Sequence, residues 1–181
     1  MKIKIGVMGS AETERPTSNE LRRSAVALGQ AVASRNAILL TGGTTGLVYI
    51  VGKAARDAGA FHVGVSPGSS ETEHIERYQL PTDACDLLIY TGFGLKGRNV
   101  VLVRSCDIVL FIGGAMGSLN EFTIAHDEDK VIGCLTGTGG VADEVDYLLE
   151  KFSKRTGACV LKHDDPILLI DECLTTFNKN T

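Results

Sequence analysis

Leu110-Phe111-Ile112-Gly113-Gly114-Ala115-Met116-Gly117-Ser118 is the stretch that decides the fold. The apolar run Ile108 to Ile112 stops at a glycine pair, and Ser118, a helix-starting residue, follows. A short apolar run bounded in this way reads as a strand buried on both faces. Two further turns repeat the design. Leu39-Leu40-Thr41-Gly42-Gly43-Thr44-Thr45-Gly46 has the same Gly-Gly-x-x-Gly spacing, and Leu135-Thr136-Gly137-Thr138-Gly139-Gly140 is again glycine-rich. Each sits where a strand ends and a helix is about to begin. In a parallel sheet all such positions fall on the carboxyl edge, where ligands bind. Glycine there lets backbone N–H groups face an anion, and the helix behind adds roughly half a positive charge.

The rest of the chain keeps the same alternation. Strands are expected at Lys2–Met8, Ala37–Thr41, Phe61–Ser66, Leu87–Thr91, Ile108–Ile112, Val131–Leu135 and Ala158–Leu161. Between them, 3.6-residue periodicity and capping signals place helices at Leu21–Ala33, Leu47–Ala58, Gly97–Ser105, Ser118–Asp127, Val141–Lys154 and Pro166–Asn178. Residues 68–84 are polar and turn-rich and read as a surface loop. Strands alternating with helices mean a mainly parallel sheet covered on both faces, an α/β protein of three layers. No linker-like composition interrupts the pattern, so residues 1–181 read as a single domain.

Composition narrows the function. The chain has 181 residues, 18 Lys+Arg against 22 Asp+Glu, and a net charge of −4. No basic run or basic–aromatic stripe points to nucleic acid, and no apolar run approaches the ~20 residues of a membrane span. Met1 to Gly9 lacks a small-residue cleavage pattern, so no signal peptide is expected. The five cysteines are far apart with no Cys-x-x-Cys pair, and the four histidines show no metal-ligand spacing. These features argue for a reducing cytoplasm and against a disulfide framework or a metal site. Glycine is the excess: 21 of 181 residues, about 12% against roughly 7% in ordinary usage.

Several ligand classes are disfavoured. Neither Gly6-Val7-Met8-Gly9 nor Gly42-Gly43-Thr44-Thr45-Gly46 fits Gly-x-Gly-x-x-Gly, and the strand after the latter ends in Ser66-Pro67 rather than an acidic residue. A dinucleotide redox cofactor is therefore not expected. Gly46 to Ala54 does not have P-loop spacing, and Gly52-Lys53 reads as helix interior. Gly64-Val65-Ser66-Pro67-Gly68 matches the nucleophile-elbow pattern in letters. Its Pro67, however, lacks the N–H that the oxyanion hole requires.

Two charged residues fall near the glycine turns. A helix of eight residues covers ~12 Å and the strand after it ~16 Å, which returns Arg98 to the edge that carries Gly113 and Gly114. An arginine in a first helical turn opposes the dipole by ~0.3–1 kcal/mol, a cost that an anion would offset; a solvated surface arginine is the plainer reading. Ser118-Leu119-Asn120-Glu121 has the spacing of a capping box, which competes with a catalytic role for Glu121.

At this point the sequence resembles the Lonely Guy (LOG)-type proteins, long mislabelled as lysine decarboxylases, within the Rossmann-like superfamily that also includes DprA. The matching residues are Gly6 to Ser10, Thr41 to Leu47, Gly64 to Pro67, Gly97-Arg98 through Arg104, Asp107, and Gly113 to Glu121. They span most of residues 1 to 135. The Gly137-Thr138-Gly139-Gly140 turn is similar to that of the compact bacterial and archaeal subgroup, which includes molybdenum cofactor carrier-like proteins. The resemblance implies a phosphate site formed from Gly9, Ser10, Gly42, Gly43, Thr44, Gly46, Gly113, Gly114, Ala115, Gly117 and Ser118. In that motif Ser118 stands for a threonine and Ala115 for a glycine. The resemblance also implies that Arg98 and Glu121 act together in cleaving the N-glycosidic bond of a nucleoside 5′-monophosphate. Carrier-type relatives keep a similar pair, so the alternatives are a non-catalytic carrier of a phosphorylated pterin such as molybdenum cofactor, or a nucleotide-sensing module. The expected ligand is a small phosphorylated molecule: a nucleotide, phosphate or a molybdopterin-type group. No further cofactor is required, and a homo-oligomer, a dimer or higher, is expected.

Overall fold

The computed structural model describes residues 1–11, 17–152 and 154–180. Among them, seven strands form one parallel sheet: β1 (Lys4–Gly9), β2 (Ile38–Thr41), β3 (Phe61–Ser66), β4 (Leu87–Tyr90), β5 (Ile108–Ile112), β6 (Val131–Leu135) and β7 (Cys159–His163). The spatial order is β4-β3-β2-β1-β5-β6-β7. The chain builds outward from β1 to β4, then crosses back to lay β5 on the other side of β1, with Gly9 in register with Ile112. That reversal is a topological switch point, and it opens a crevice beyond the carboxyl ends of β1 and β5.

Helices cover both faces. Helices α1 (Asn19–Ser34), α2 (Leu47–Asp57) and α6 (Pro166–Asn180) pack on one side through residues such as Leu28, Val32, Val51 and Leu169. Helices α3 (Gly94–Arg104), α4 (Met116–Asp127) and α5 (Val141–Lys151) cover the other with Leu102, Phe122 and Val145. β5 and β6 are buried at every position, which is why their apolar runs are unbroken. The expected three-layer α/β, Rossmann-like architecture is the one observed. No helix among the described residues is long and apolar enough to cross a membrane.

Local differences from the sequence reading have physical causes. Segment 68–84 is not simply surface loop: it contains a π-helical turn, Glu73–Arg77, and the His74 ring on it is wholly buried. Helix α3 begins at Gly94, three residues before the expected start, with Phe93 at the cap position and no side-chain cap. Arg98 therefore lies in the second turn. Lys96 takes the first-turn place that the dipole argument assigned to Arg98. The expected extension of α5 to Lys154 runs past its end at Lys151 and through Ser153, which lies outside the described residues.

Candidate functional site

A cleft of about 170 Å³ opens at the switch point. Of the residues singled out from sequence, Gly9, Gly42, Thr44, Arg98, Ala115, Gly117, Ser118 and Glu121 line it. Ser10, Gly43, Gly46, Gly113 and Gly114 do not, and they hold the surrounding turns in shape. The Gly114 N–H donates to Ser10 Oγ at 2.8 Å and the Gly113 N–H to Thr138 Oγ1 at 2.8 Å. The Gly43 N–H donates to Thr41 Oγ1 at 3.1 Å, and Gly46, at φ +77°, is the cap residue of α2. The third glycine turn is a brace. Its Gly137 and Gly139 N–H groups donate to the Asp143 carboxylate, and the N–H groups of Val141 and Ala142 donate to the carbonyls of Gly114 and Gly113. The glycine N–H groups of turn 113–114 are thus already engaged inside the protein.

Helix α4 brings further donors to the cleft. Ala115 caps this helix in extended backbone (φ −123°, ψ −154°) with no side-chain hydrogen bond. The first N–H groups of a helix have no intrahelical partner, so this first turn faces the cleft with unsatisfied donors. Ala115 needs no glycine conformation, so its methyl is accommodated without backbone strain. Ser118 is not the cap, and the capping-box reading of Ser118 and Glu121 does not hold. Ser118 Oγ donates to the Gly9 carbonyl at 3.2 Å and ties α4 to the end of β1.

Glu121 is instead held by a residue on α3. Arg98 Nη1 donates to Glu121 Oε1 at 2.9 Å, with the two side chains only 7% and 8% exposed. Burial pushes the Glu121 carboxyl above the usual range, against the pull of Arg98 and then of Lys96. Burial likewise lowers the Arg98 guanidinium, against the pull of Glu121, and an arginine stays protonated all the same. Gly42 makes room for this pair. A Cβ there would lie 2.2 Å from Arg98 Nη2, so the guanidinium rests directly on the backbone of the first glycine turn. Arg98 Nε is buried without a hydrogen-bond partner among the described residues.

Sequence reasoning missed Lys96 and Asn99, which also line the cleft. The Lys96 ammonium hangs over the first turn of α4, 3.3 Å from where a Cβ on Gly117 would sit, and it has no ion-pair partner among the described residues. Its signal lay in the run Gly94-Leu95-Lys96-Gly97-Arg98, a second cation two residues before the one singled out.

Behind the first turn lies a buried relay. Thr41 Oγ1, accepting from Gly43, donates to His62 Nε2 at 2.8 Å, and His62 Nδ1 donates to the Ala84 carbonyl at 2.6 Å. Gly52 on α2 leaves space for the imidazole, since a Cβ there would meet His62 Cε1 at 2.4 Å. Ser66 at the end of β3 repeats the arrangement: it accepts from the Gly68 N–H and donates to His74 Nδ1, whose Nε2 donates to the Pro81 carbonyl. Both rings connect strand-end hydroxyls to segment 81–84.

A fully parallel sheet with a cleft at its switch point, lined by glycine turns and a buried Arg–Glu pair, defines a Rossmann-like protein. The chain belongs to the SLOG cluster4 family, whose model matches residues 2–170. Among solved structures, the molybdenum cofactor carrier protein of Chlamydomonas reinhardtii is 27% identical, with a TM-score of 0.77 and coverage of 98% of this chain and 99% of that one. The molybdenum cofactor binding protein of the phototrophic bacterium Rippkaea orientalis is 27% identical, with a TM-score of 0.73 over 99% and 97% of the two chains. A structural-genomics X-ray structure designated TM1055 reaches a TM-score of 0.83 over 97% and 99% at 24% identity, a likeness of fold alone.

Proposed function

We propose that this chain binds a small phosphorylated ligand in the switch-point cleft and acts as a carrier of a phosphorylated pterin of the molybdenum cofactor type. The single observation that carries the phosphate half is the position of Lys96. Its ammonium stands in the first turn of α3 and over the first turn of α4, at the positive ends of two helices, with no salt bridge among the described residues and only the Arg98-paired Glu121 carboxyl acting on it through space. Each cation–dipole encounter of this kind is unfavourable by ~0.3–1 kcal/mol; an anion between the ammonium and the unsatisfied α4 donors reverses the sign. The carrier half is supported by the likeness to two proteins described as carrying or binding that cofactor. Leu95 on the cleft wall and Met116 beside it, 50% and 75% exposed, offer apolar surface for a flat ring. Protein purified from cells that make the cofactor should retain it, or slow its oxidation in vitro. Doing neither overturns the carrier reading.

A second reading, hydrolysis of nucleoside 5′-monophosphates, is favoured by one observation. Glu121 lines the cleft, and its Oε2 receives no hydrogen bond from the described residues. A carboxylate there stabilises an oxocarbenium-like ribose or orients water, while Arg98 positions it electrostatically. Incubation with a panel of nucleoside monophosphates, assayed for free base, tests this; release from none of them removes it.

A further inference from the structure

The sheet has two edges, and the sequence treats them differently. At one edge the exposed residue of β7 is Lys162, paired with Asp146. A charged side chain on a terminal strand discourages pairing with another chain. The terminal strand at the other edge, β4, reads Leu87-Leu88-Ile89-Tyr90 and carries neither charge nor proline. Leu87 and Ile89 are 47% and 43% exposed. Their register partners on β3 are Val63 and Val65, which belong to the core beneath α3–α5. Leu87 and Ile89 therefore stand on that same face, one strand beyond the cover the helices provide. Phe61, two residues before Val63 and 48% exposed, continues the strip. Outside the ladder with β3, nothing among the described residues hydrogen-bonds to the backbone of Leu87–Tyr90. A terminal strand offers a row of free N–H and C=O groups, and here that row runs beside apolar side chains.

We propose that β4 is the contact between two copies of this chain, which pair antiparallel about a two-fold axis and join their sheets into one. The inference stands apart from the ligand reading. A two-fold contact must be self-complementary, and this strand is. With Leu88 opposite its own copy, Leu87 faces the partner's Ile89 and Ile89 faces the partner's Leu87. Side-chain alternation keeps both pairs on the face the helices leave open. The same register sets Asp86 opposite the partner's Tyr90, so no two like charges meet. The strand ends are complementary too. Arg56 Nε holds Asp86 Oδ1 at 2.9 Å at the amino end of β4. At the carboxyl end, burial and then the Glu71 carboxylate raise the Tyr90 phenol. Antiparallel pairing brings these unlike ends together, Arg56 towards the partner's Glu71. A four-residue edge with three half-exposed side chains falls below the ~800 Å² per partner of a standard interface, so the pairing depends on concentration.

Sedimentation velocity of the full chain over a dilution series reads the mass. Wild type should double its mass as concentration rises. Leu87→Lys and Ile89→Lys each place a charge on the strip and should abolish the doubling, with Tm close to wild type because both are surface positions. Leu168→Lys, an equally exposed position on α6, should leave the doubling intact. Engineered cysteines read the register, with wild type and its own five cysteines as the baseline. Leu87→Cys mixed with Ile89→Cys should form an interchain disulfide under mild oxidation. Either variant alone should cross-link far less, since like residues sit ~7–8 Å apart on the diagonal. A wild type that never doubles overturns the proposal. Doubling that survives both lysine variants overturns it as well and assigns assembly to another surface. If the lysine variants do not fold, the cross-link decides: no gain over baseline in the mixture overturns the pairing.

Discussion

Replacing Glu121 with Gln isolates the charge of the buried pair from its shape. Arg98 and Glu121 meet through one hydrogen bond of 2.9 Å between side chains 7% and 8% exposed. Charge centres about 4 Å apart attract by ~4 kcal/mol at an effective dielectric of about 20. Glutamine keeps an oxygen for Arg98 Nη1 but leaves the guanidinium buried without a counter-charge. Removing one member of a buried pair costs about 3–5 kcal/mol, and the retained hydrogen bond places Glu121→Gln near the lower bound. For a chain of this length each kcal/mol moves Tm by roughly 2–4 °C, so a fall of about 6 °C or more is expected. The double variant Arg98→Met, Glu121→Leu removes both charges together and should return to within about 1 kcal/mol of wild type or exceed it, because desolvating the pair offsets most of its attraction. Urea denaturation of the four proteins closes a double-mutant cycle. A single-variant cost below about 1 kcal/mol with no coupling would refute the reasoning: the cleft would then solvate the pair as water solvates a surface ion pair.

Other perturbations test the surrounding construction. Thr41→Val strands the Gly43 N–H and His62 Nε2 and should cost about 1–3 kcal/mol in urea denaturation, whereas Thr41→Ser, which keeps the hydroxyl, should stay close to wild type. Burial lowers the His62 pKa below 6.5, against the pull of the Ala84 carbonyl. The unfolded chain therefore takes up this proton first as pH falls, so the contribution is complete above about 6.5 and is lost on acidification below it; urea midpoints measured from pH 7 to 5 should fall less steeply in His62→Gln. Gly42→Ala drives a methyl into the Arg98 guanidinium, 2.2 Å from Nη2, and should lower both Tm and affinity for phosphorylated ligands. Lys96→Gln should weaken inorganic phosphate measurably by calorimetry; unchanged affinity removes Lys96 from the site.

What could be read from sequence follows burial. β5 and β6 were expected at the positions observed because every residue in them is buried, and continuous apolar runs of that length have few other readings. The ends of β1 and β7 shifted where strands are only partly covered. The start of α3 was obscured because Phe93 and Gly94 carry no capping side chain. The Ser118–Glu121 spacing suggested a cap, yet the glutamate is taken by an arginine 23 positions upstream, a partner that spacing cannot show. Likewise, His74 sits in an acidic, turn-rich segment, and its burial depends on the ends of β3 and the Pro81 carbonyl. Glycine patterning located the cleft but did not separate glycines that line it from glycines that brace it. Gly113 and Gly114 looked like the phosphate cradle, and their N–H groups are engaged by Thr138 and Ser10.

That separation bears on what the site can do. Arg98 and Glu121 neutralise one another, so the charge available to an incoming anion comes from Lys96 and the first turn of α4. For Glu121 to act on a glycosidic bond it must serve through Oε2 while Oε1 remains engaged by Arg98, and breaking that bond to free it would strand a buried guanidinium. An inward-facing pair locked in this way suits a wall that orients a ligand better than one that exchanges protons with it. Glu121→Gln therefore separates the two functions as well as testing stability. A hydrolase loses turnover with the carboxylate. A carrier keeps its ligand at slightly reduced affinity, because Lys96 and the α4 donors are untouched.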